Sequence, residues 1–127
     1  MDKWWRALPL STPFDDETGR EMAPTRGEVW LFDLGMAGKI RPALVVSVGY
    51  GDLDRALITI LPHTTSLRGS QYEITVNVPF LKAGAFLVQN VATYPNVRAI
   101  RKLGTLKRDQ FDLVFAGLLR WLGDARA

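Results

Sequence analysis

Two polar stretches, each beside a strongly apolar run, contain the side chains that could do chemistry. In the first, Arg41 stands directly before Pro42 and the apolar, β-branched run 43–46. The guanidinium of Arg41 is permanently charged, and Pro42 favours an extended backbone at the residue before it. A planar cation on a stiff backbone suits a phosphate or carboxylate ligand. An ordinary surface arginine at the start of a strand is the simpler interpretation of this stretch alone.

The second stretch is the segment 62–70, which has the sequence PHTTSLRGS. It combines one imidazole, one guanidinium and four hydroxyls in nine residues, a dense set of hydrogen-bond donors. A strand end followed by a hydroxyl-rich turn is the common alternative. A further polar pair, Gln89 and Asn90, interrupts another apolar run. That pair indicates either a groove or a strand edge whose polar face lies in water.

The composition excludes several classes of site. The chain of 127 residues has no cysteine and one histidine, which excludes thiolate catalysis and disulfides and argues against a catalytic zinc site. It contains no glycine-rich phosphate loop and no metal-ligand spacing, so we expect neither a metal nor a cofactor. No apolar run approaches the length of a membrane span, and the first residues do not form a convincing signal peptide. We therefore expect a cytoplasmic protein without membrane contact.

Charge is unevenly distributed along the chain. Residues 1–25 hold three Lys/Arg against five Asp/Glu, whereas residues 26–127 hold thirteen against eight, a balance of −2 against +5. Three prolines and polar loop composition predict an N-terminal arm over 1–24, followed by one domain over 25–127. Two interpretations of this arm stay open. In one, Trp4 and Trp5 dock on the domain or at a protein interface; in the other, the arm is partly disordered. The basic domain favours a polyanionic partner.

Apolar periodicity predicts the elements that must position these side chains. Strands are expected at 28–33, 42–48, 56–61, 72–78, 85–93 and 97–101, with Pro62 ending the third. The run 72–78 alternates, and these members should face inward: Tyr72, Ile74, Val76 and Val78. A closing helix carries one apolar stripe: Phe111, Val114, Phe115, Leu118, Leu119 and Leu122. The predicted fold class is mainly β with helices (α+β), a small barrel or strongly bent sheet of five to six strands with a C-terminal helix.

Three segments, through their order and spacing, carry a family resemblance. They are 26–30 (RGEVW), 41–47 (RPALVVS) and 62–66 (PHTTS). These segments resemble the first strand, the second strand and the end of the third strand of the MazF/PemK toxins, which are ribosome-independent mRNA endoribonucleases. The resemblance covers residues 26–122, which are 97 of the 127 residues.

The resemblance implies a fold, an activity and partners. The fold would be an SH3-like barrel, shared with the CcdB and Kid toxins, and the protein would be a homodimer. The activity would be sequence-specific, metal-independent cleavage of single-stranded RNA by its own 2′-hydroxyl, leaving a 2′,3′-cyclic phosphate and a 5′-hydroxyl. The further partner would be a cognate antitoxin, whose disordered tail folds over the RNA groove.

Carried over by position, the resemblance implies that Arg41 and Thr64 are the catalytic residues. We expect Arg41 to stabilise charge on the phosphate and assist the leaving group, and Thr64 to donate a hydrogen bond to a phosphate oxygen. Arginine stays protonated in proteins, so the general base is not identified. His63 has an ordinary pKa in a suitable range, but in an extended chain it points to the face opposite Thr64.

Other polar side chains are predicted to bind the RNA strand. Lysine, arginine and hydroxyl groups would position the phosphates, while His63 and Tyr50 would stack on bases. The predicted RNA-binding set is Lys39, His63, Thr65, Ser66, Arg68 and Gln89.

Two departures from the family pattern remove carboxylates from the expected groove. The loop 34–40 is short and has no acid, and Gln89-Asn90 stands where the family often has Asp-Gln. Two other functions therefore stay open. One is a non-enzymatic toxin on the same barrel, acting on a protein such as gyrase as CcdB does. The other is a catalytically silent interaction module.

Overall fold

The computed structural model describes residues 23–35, 39–124 and 126. They form seven strands and one α-helix: β1 Glu28–Asp33, β2 Ile40–Val45, β3 Leu57–Thr64, β4 Glu73–Ile74, β5 Ala85–Leu87, β6 Ala92–Pro95, β7 Ala99–Thr105 and α1 Arg108–Trp121. Two short 3₁₀ helices, Val88–Asn90 and Asn96–Arg98, follow β5 and β6. The expectations for Trp4, Trp5 and the rest of 1–22 lie outside the described residues.

β3 is the strand around which the sheet bends. The strand order is β4-β5-β3-β2-β1-β7, and β6 pairs with β3 beside this path. One edge of β3 pairs with β2, whereas the other edge pairs with β6 over 57–60 and with β5 over 63–64. Within the part of the chain that the structure describes, no pairing joins β4 to β7. The predicted mainly β fold with a C-terminal helix is confirmed, with seven strands in place of five to six.

Several strand boundaries differ from the prediction. β3 continues through Pro62 instead of ending before it. On one edge of β3 the partner strand changes from β6 to β5 at this position, so the missing N–H of proline is tolerated. The alternation over 72–78 is present, but within it only Glu73–Ile74 pairs, with β5. The run 85–93 is interrupted by Val88–Asn90, because the register on β3 differs by three residues between β5 and β6. β2 and β7 are displaced by a few residues from their predicted bounds.

α1 packs as its apolar stripe predicts, except at its end. The backbone N–H of Lys107 donates to the side chain of Gln110 at 3.0 Å, which caps the first turn. Phe111 and Val114 are buried, but Leu122 is 62% exposed. Leu122 lies beyond the last helical turn, just before Gly123, whose φ of +96° ends the helix.

Two apolar clusters lie on opposite faces of the sheet. The helix face packs against α1 and contains these buried residues from the strands or directly next to them: Val29, Leu44, Val46, Leu61, Ile74 and Phe86. The pocket face, named for the cavity described below, contains a smaller cluster: Trp30, Phe32, Ala43, Val45, Ile58, Ile60 and Ala99. Successive residues of a strand point to opposite faces, so each central strand contributes to both clusters.

Candidate active site

Arg41 and Thr64 lie at the same end of two adjacent strands. β2 and β3 are antiparallel, with Ala43 opposite Pro62. The observed pairing ends there, and the same register continued by two residues would set Arg41 opposite Thr64. Arg41 shares the face of Ala43, and both belong to the pocket face. The two predicted catalytic residues are therefore presented side by side.

A cavity of about 740 Å³ opens at this end of the pocket face. Six of the eight predicted site residues line it: Lys39, Arg41, Thr64, Ser66, Arg68 and Gln89. Apolar side chains from Leu34, Ile60 and Leu87 contribute to its wall. The cavity thus combines an apolar wall with a few convergent polar groups, as ligand sites commonly do.

Thr64 is held in a defined orientation although it ends a strand. Its side chain is largely buried, with the residue 7% exposed, and its Oγ1 accepts the backbone N–H of Ser66 at 3.1 Å. In this local turn the hydroxyl oxygen acts as the acceptor. The hydroxyl hydrogen therefore remains to be donated to a ligand in the cavity.

The loop before β2 is closed at its base, which positions Lys39 beside the cavity. The N–H of Leu34 donates to the C=O of Lys39 at 2.9 Å, and Asp33 Oδ1 accepts the N–H of Gly35 at 2.8 Å. Gly35 has a φ of +78°, and a Cβ at this position would lie 2.6 Å from the guanidinium of Arg98. Glycine is favoured here because of its positive φ, whereas the end of the flexible Arg98 side chain could move to accommodate a Cβ.

His63 lies on the opposite face of β3 from Thr64. Its ring is buried, with 3% exposed, and it meets Phe86 edge-on at a centroid distance of 5.2 Å. Burial, and then the charge of Arg41, lower the pKa of His63 from 6.5 to about 4, so the imidazole is neutral at pH 7. This position argues against the predicted stacking role, which requires an exposed ring face.

Two other predicted contacts lie outside the wall of the cavity. Thr65 is exposed beside Thr64 and does not line it. Tyr50 packs against the pocket-face cluster, and its hydroxyl accepts a hydrogen bond from Asn96 Nδ2 at 2.8 Å. The position of Tyr50 is therefore explained by packing.

Gln89 and Asn90 both line the cavity because a 3₁₀ helix, not a strand, carries them. Val88, the first residue of that helix, is fully buried and anchors it. Of the two interpretations that the sequence left for this pair, the structure selects the groove.

Glu73 is a lining residue that the sequence analysis missed. Its carboxylate accepts the backbone N–H groups of Arg68, Gly69 and Ser70 at 2.8–3.1 Å. These hydrogen bonds, the one from Arg68 first, lower the pKa of Glu73 from its ordinary 4.5. In the sequence Glu73 is one polar member of an alternating run. Its spacing of three from Ser70, typical of pairs that bind backbone N–H groups, is the local signal that could have identified it.

The cavity has a positive charge balance. Lys39, Arg41 and Arg68 contribute cations, and Glu73 is the acidic residue among the described lining residues. Such a surface attracts anions. Among the described residues, no group of three or more His, Cys, Asp or Glu is placed to hold a metal ion. No helix in that part of the chain is long and apolar enough to cross a membrane.

Comparison with known proteins relates this fold and cavity to a family. Residues 25–122 match the family described as PemK-like, MazF-like toxin of type II toxin-antitoxin system. An endoribonuclease from a mycobacterial species, solved with its cognate antitoxin, is 24% identical with a TM-score of 0.69, over 80% of this chain and 96% of that chain. MazF from Deinococcus radiodurans is 26% identical with a TM-score of 0.69, over 80% and 98%. The Mycobacterium tuberculosis toxin MazF-mt6 is 23% identical with a TM-score of 0.63, over 75% and 95%.

No functionally curated sequence matches the chain. The family match nevertheless spans 98 of the 127 residues, from before β1 to the end of α1. It includes both strands that present Arg41 and Thr64. The chain belongs to the MazF/PemK-like family of toxins of type II toxin–antitoxin systems.

Proposed function

We propose that this chain is the toxin of a toxin–antitoxin system and cleaves single-stranded RNA, including mRNA, at short specific sequences without a metal ion. The observation that carries the proposal is the adjacency of Arg41 and Thr64 at the ends of β2 and β3, inside a positively charged cavity. A single strand suits this cavity, because its phosphates need cations and its unstacked bases can enter a narrow site.

The proposed reaction uses the nucleophile of the substrate itself. The 2′-oxygen attacks the adjacent phosphorus and loses its proton to solvent water. A new O–P bond forms while the bond from phosphorus to the 5′-oxygen breaks, and that oxygen takes a proton from solvent water. The products are a 2′,3′-cyclic phosphate and a 5′-hydroxyl. Arg41 stabilises the charged equatorial oxygens with paired N–H donors and assists the leaving oxygen, while Thr64 donates its hydroxyl hydrogen to one of them.

Neither His63 nor Glu73 is suited to remove the proton of the 2′-hydroxyl. His63 lies on the helix face, away from the cavity. The hydrogen bonds that lower the pKa of Glu73 make its carboxylate a weak proton acceptor. Arginine side chains are not deprotonated in proteins, so a guanidinium is not a base for this step. We therefore assign the rate enhancement to charge stabilisation and positioning.

The remaining polar groups would bind the strand on either side of the cleaved phosphate. Lys39, Ser66 and Arg68 line the cavity with donors suited to phosphate oxygens. Gln89 offers an amide for hydrogen bonds to the strand, and Thr65 lies exposed at the rim.

The test is to incubate the purified protein with a long RNA, with and without chelator, and to sequence the fragment ends. We expect cuts at one short sequence, cyclic-phosphate ends and no effect of the chelator. Chelator-sensitive cleavage would contradict the metal-free mechanism. Intact RNA at every protein concentration would contradict the ribonuclease and favour a non-enzymatic toxin or a silent interaction module.

We also propose a cytoplasmic homodimer that is neutralised by a cognate antitoxin, whose disordered tail folds over the cavity. The mycobacterial endoribonuclease solved with its antitoxin supports the existence of such a partner. In this proposal residues 25–127 form the toxin domain and residues 1–24 an arm. Light scattering of the purified chain tests the dimer, and loss of RNA cleavage on titration with antitoxin tests the partner.

A further inference from the structure

Glu73 closes the segment 65–72, which joins β3 to β4. Its Oε1 accepts the N–H groups of Gly69 at 2.8 Å, Ser70 at 3.0 Å and Arg68 at 3.1 Å. Its Oε2 accepts the N–H of Arg68 as well, at 2.9 Å. The other end of the segment is closed by the hydrogen bond from the Ser66 N–H to Thr64. A side-chain acceptor thus fixes the backbone at each end.

The three successive N–H groups form a backbone nest around the carboxylate. Gly69 has a φ of +84°, the left-handed conformation that such convergence requires. These hydrogen bonds lower the pKa of Glu73, so the carboxylate is ionised at neutral pH and fills the nest. An ionised acceptor holds backbone donors more strongly than a neutral one, so the charge of Glu73 matters for the shape of the segment.

Glu73 also connects this segment to the amide side of the cavity. It lies in β4 opposite Leu87 of β5. Leu87 leads directly into the 3₁₀ helix Val88–Asn90, whose Gln89 lines the cavity. Because the carboxylate holds the backbone of Arg68 and the backbone of Glu73 pairs with Leu87, Glu73 fixes the position of Arg68 relative to Gln89.

We propose that Glu73 is a positioning residue that holds Arg68 at the rim of the cavity, where its guanidinium binds a phosphate flanking the one cleaved between Arg41 and Thr64. This inference rests on the proposed RNA cleavage and deepens it, because it assigns substrate affinity to a residue that does not touch the strand. Arg68 is an exposed, long side chain. A fixed backbone reduces the freedom that such a side chain loses on binding.

Glu73 is also a negative charge beside an RNA site, and its two effects have opposite signs. Simple repulsion predicts that removal of the carboxylate tightens RNA binding. Positioning predicts that removal weakens binding, because the released segment carries Arg68 away from the strand. The direction of the change in KM therefore distinguishes the two.

The experiment compares Glu73→Gln, Glu73→Ala and Arg68→Ala with the wild type in steady-state cleavage of a single-stranded oligonucleotide that contains the cut site. We expect each Glu73 variant to raise KM about fivefold, roughly the loss of one phosphate contact, with kcat within about twofold. The slope of log KM against log salt should fall by about 0.7 in each variant. The KM of the double variant Glu73→Ala/Arg68→Ala should equal that of Arg68→Ala alone.

Glu28→Gln is the matched control. Glu28 also accepts a backbone N–H, that of Thr25 at 2.8 Å, and it pairs with Lys102 at 2.9 Å. It does not line the cavity. We expect Glu28→Gln to lower the melting temperature and leave KM unchanged. Hydrogen exchange at the amides of residues 68–70 should accelerate in the Glu73 variants only, a readout that does not depend on RNA cleavage.

The outcomes separate this inference from the proposed function. A wild type that leaves RNA intact overturns the proposed function, and the role of Glu73 in RNA binding with it. A wild type that cleaves RNA, together with Glu73 variants whose KM is unchanged or lower, overturns the inference alone. Additive effects of Glu73→Ala and Arg68→Ala on KM would also contradict it, since the two residues would then act separately.

Discussion

The helix face and the pocket face are built from alternate residues of the same strands, yet they bury different chemistry. On β2, Leu44 is fully buried under α1, whereas Arg41 lines the cavity. On β3, His63 packs against Phe86 on the helix face, whereas the next residue, Thr64, lines the cavity. The helix face is therefore a packed apolar core. The pocket face is apolar along most of the strands, but at the end where the cavity opens it presents charged and hydroxyl groups.

Residues that stabilise the fold and residues proposed to act on RNA can therefore be direct neighbours on one strand. Apolar side chains under α1 stabilise the fold through burial. Arg41 and Thr64 stand at strand ends and line the cavity, so their replacement should affect activity more than stability. Substitutions at neighbouring positions should therefore have opposite signatures, one a loss of stability and the other a loss of activity.

The largest expected effect is on activity, at Arg41. Arg41→Ala removes the guanidinium that we propose stabilises the pentacoordinate phosphate, so we expect the cleavage rate to fall about a thousandfold or more. The free energy of unfolding should change by less than about 1 kcal/mol, as for most residues outside the core. Arg41→Lys keeps the charge but loses the paired donors, and it should recover part of the rate. Single-turnover cleavage and urea unfolding measure the two quantities, and an active Arg41→Ala protein would remove Arg41 from the site.

Leu44 tests the other face of the same strand. Leu44→Ala leaves a cavity under α1 and should lower the free energy of unfolding by about 2–5 kcal/mol. The fraction that remains folded should cleave RNA at the wild-type rate. Urea unfolding with activity assays on the folded protein checks both parts. A stable but inactive Leu44→Ala protein would show that the two faces are not separate.

His63 should make stability depend on pH without affecting chemistry. Its pKa is lowered from 6.5 to about 4 by burial and then by Arg41. Between these values the unfolded chain binds a proton that the folded chain does not, so stability is lost as pH falls from 6.5 towards 4, by about 3 kcal/mol in total. Thermal unfolding across this window should show the slope in the wild type and its absence in His63→Gln. The same slope in both proteins would assign it to other groups.

Thr64 should have a smaller effect on activity than Arg41. Thr64→Val keeps the shape but removes the hydroxyl, so we expect the rate to fall about 10- to 100-fold, the loss of one hydrogen bond in the transition state. Thr64→Ser keeps both the donor and the acceptor for the Ser66 N–H and should retain most of the rate. Single-turnover cleavage distinguishes them, and equal rates for Thr64→Val and wild type would show that the hydroxyl is dispensable.

The smallest expected effect is at Arg26, on the helix face, where a substitution should lower stability and leave activity unchanged. Its guanidinium lies 4.7 Å from the ring centroid of Phe111 and 4.5 Å from that of Phe115, and it donates to the C=O of Val46. Arg26→Ala should lower the free energy of unfolding by about 1–2 kcal/mol through lost cation–π contacts. RNA cleavage should not change. A lowered cleavage rate at unchanged stability would place Arg26 in the RNA site instead.

Features with a short-range signal could be predicted from the sequence. Arg41 before Pro42, the hydroxyl cluster at Thr64 and the apolar stripe of α1 are local patterns, and they identified two residues that line the cavity and the closing helix. Strand alternation also predicted that His63 faces away from Thr64.

Features that depend on the path of the backbone could be predicted in part or not at all. Glu73 has one local signal, its spacing of three from Ser70, but its place in the cavity wall also requires the segment 65–72 to turn back and direct three N–H groups at it. Pro62 stays within β3 because the strand changes partner there, and Gln89 reaches the cavity because a 3₁₀ helix absorbs a register difference. Pairing between distant strands decides the positions of Pro62 and Gln89, and no local pattern encodes that pairing.

The most direct test of the central claim, that the pocket face cleaves RNA by using the 2′-hydroxyl of the strand itself, is a single-atom change in the substrate. The wild-type protein is given an oligonucleotide that contains its cut site, and a matched one with a 2′-deoxy group at the nucleotide before the cleaved bond. We predict cleavage of the first and complete resistance of the second, with binding of both. Cleavage of the deoxy oligonucleotide at the same bond would contradict the mechanism, because the nucleophile would then come from elsewhere.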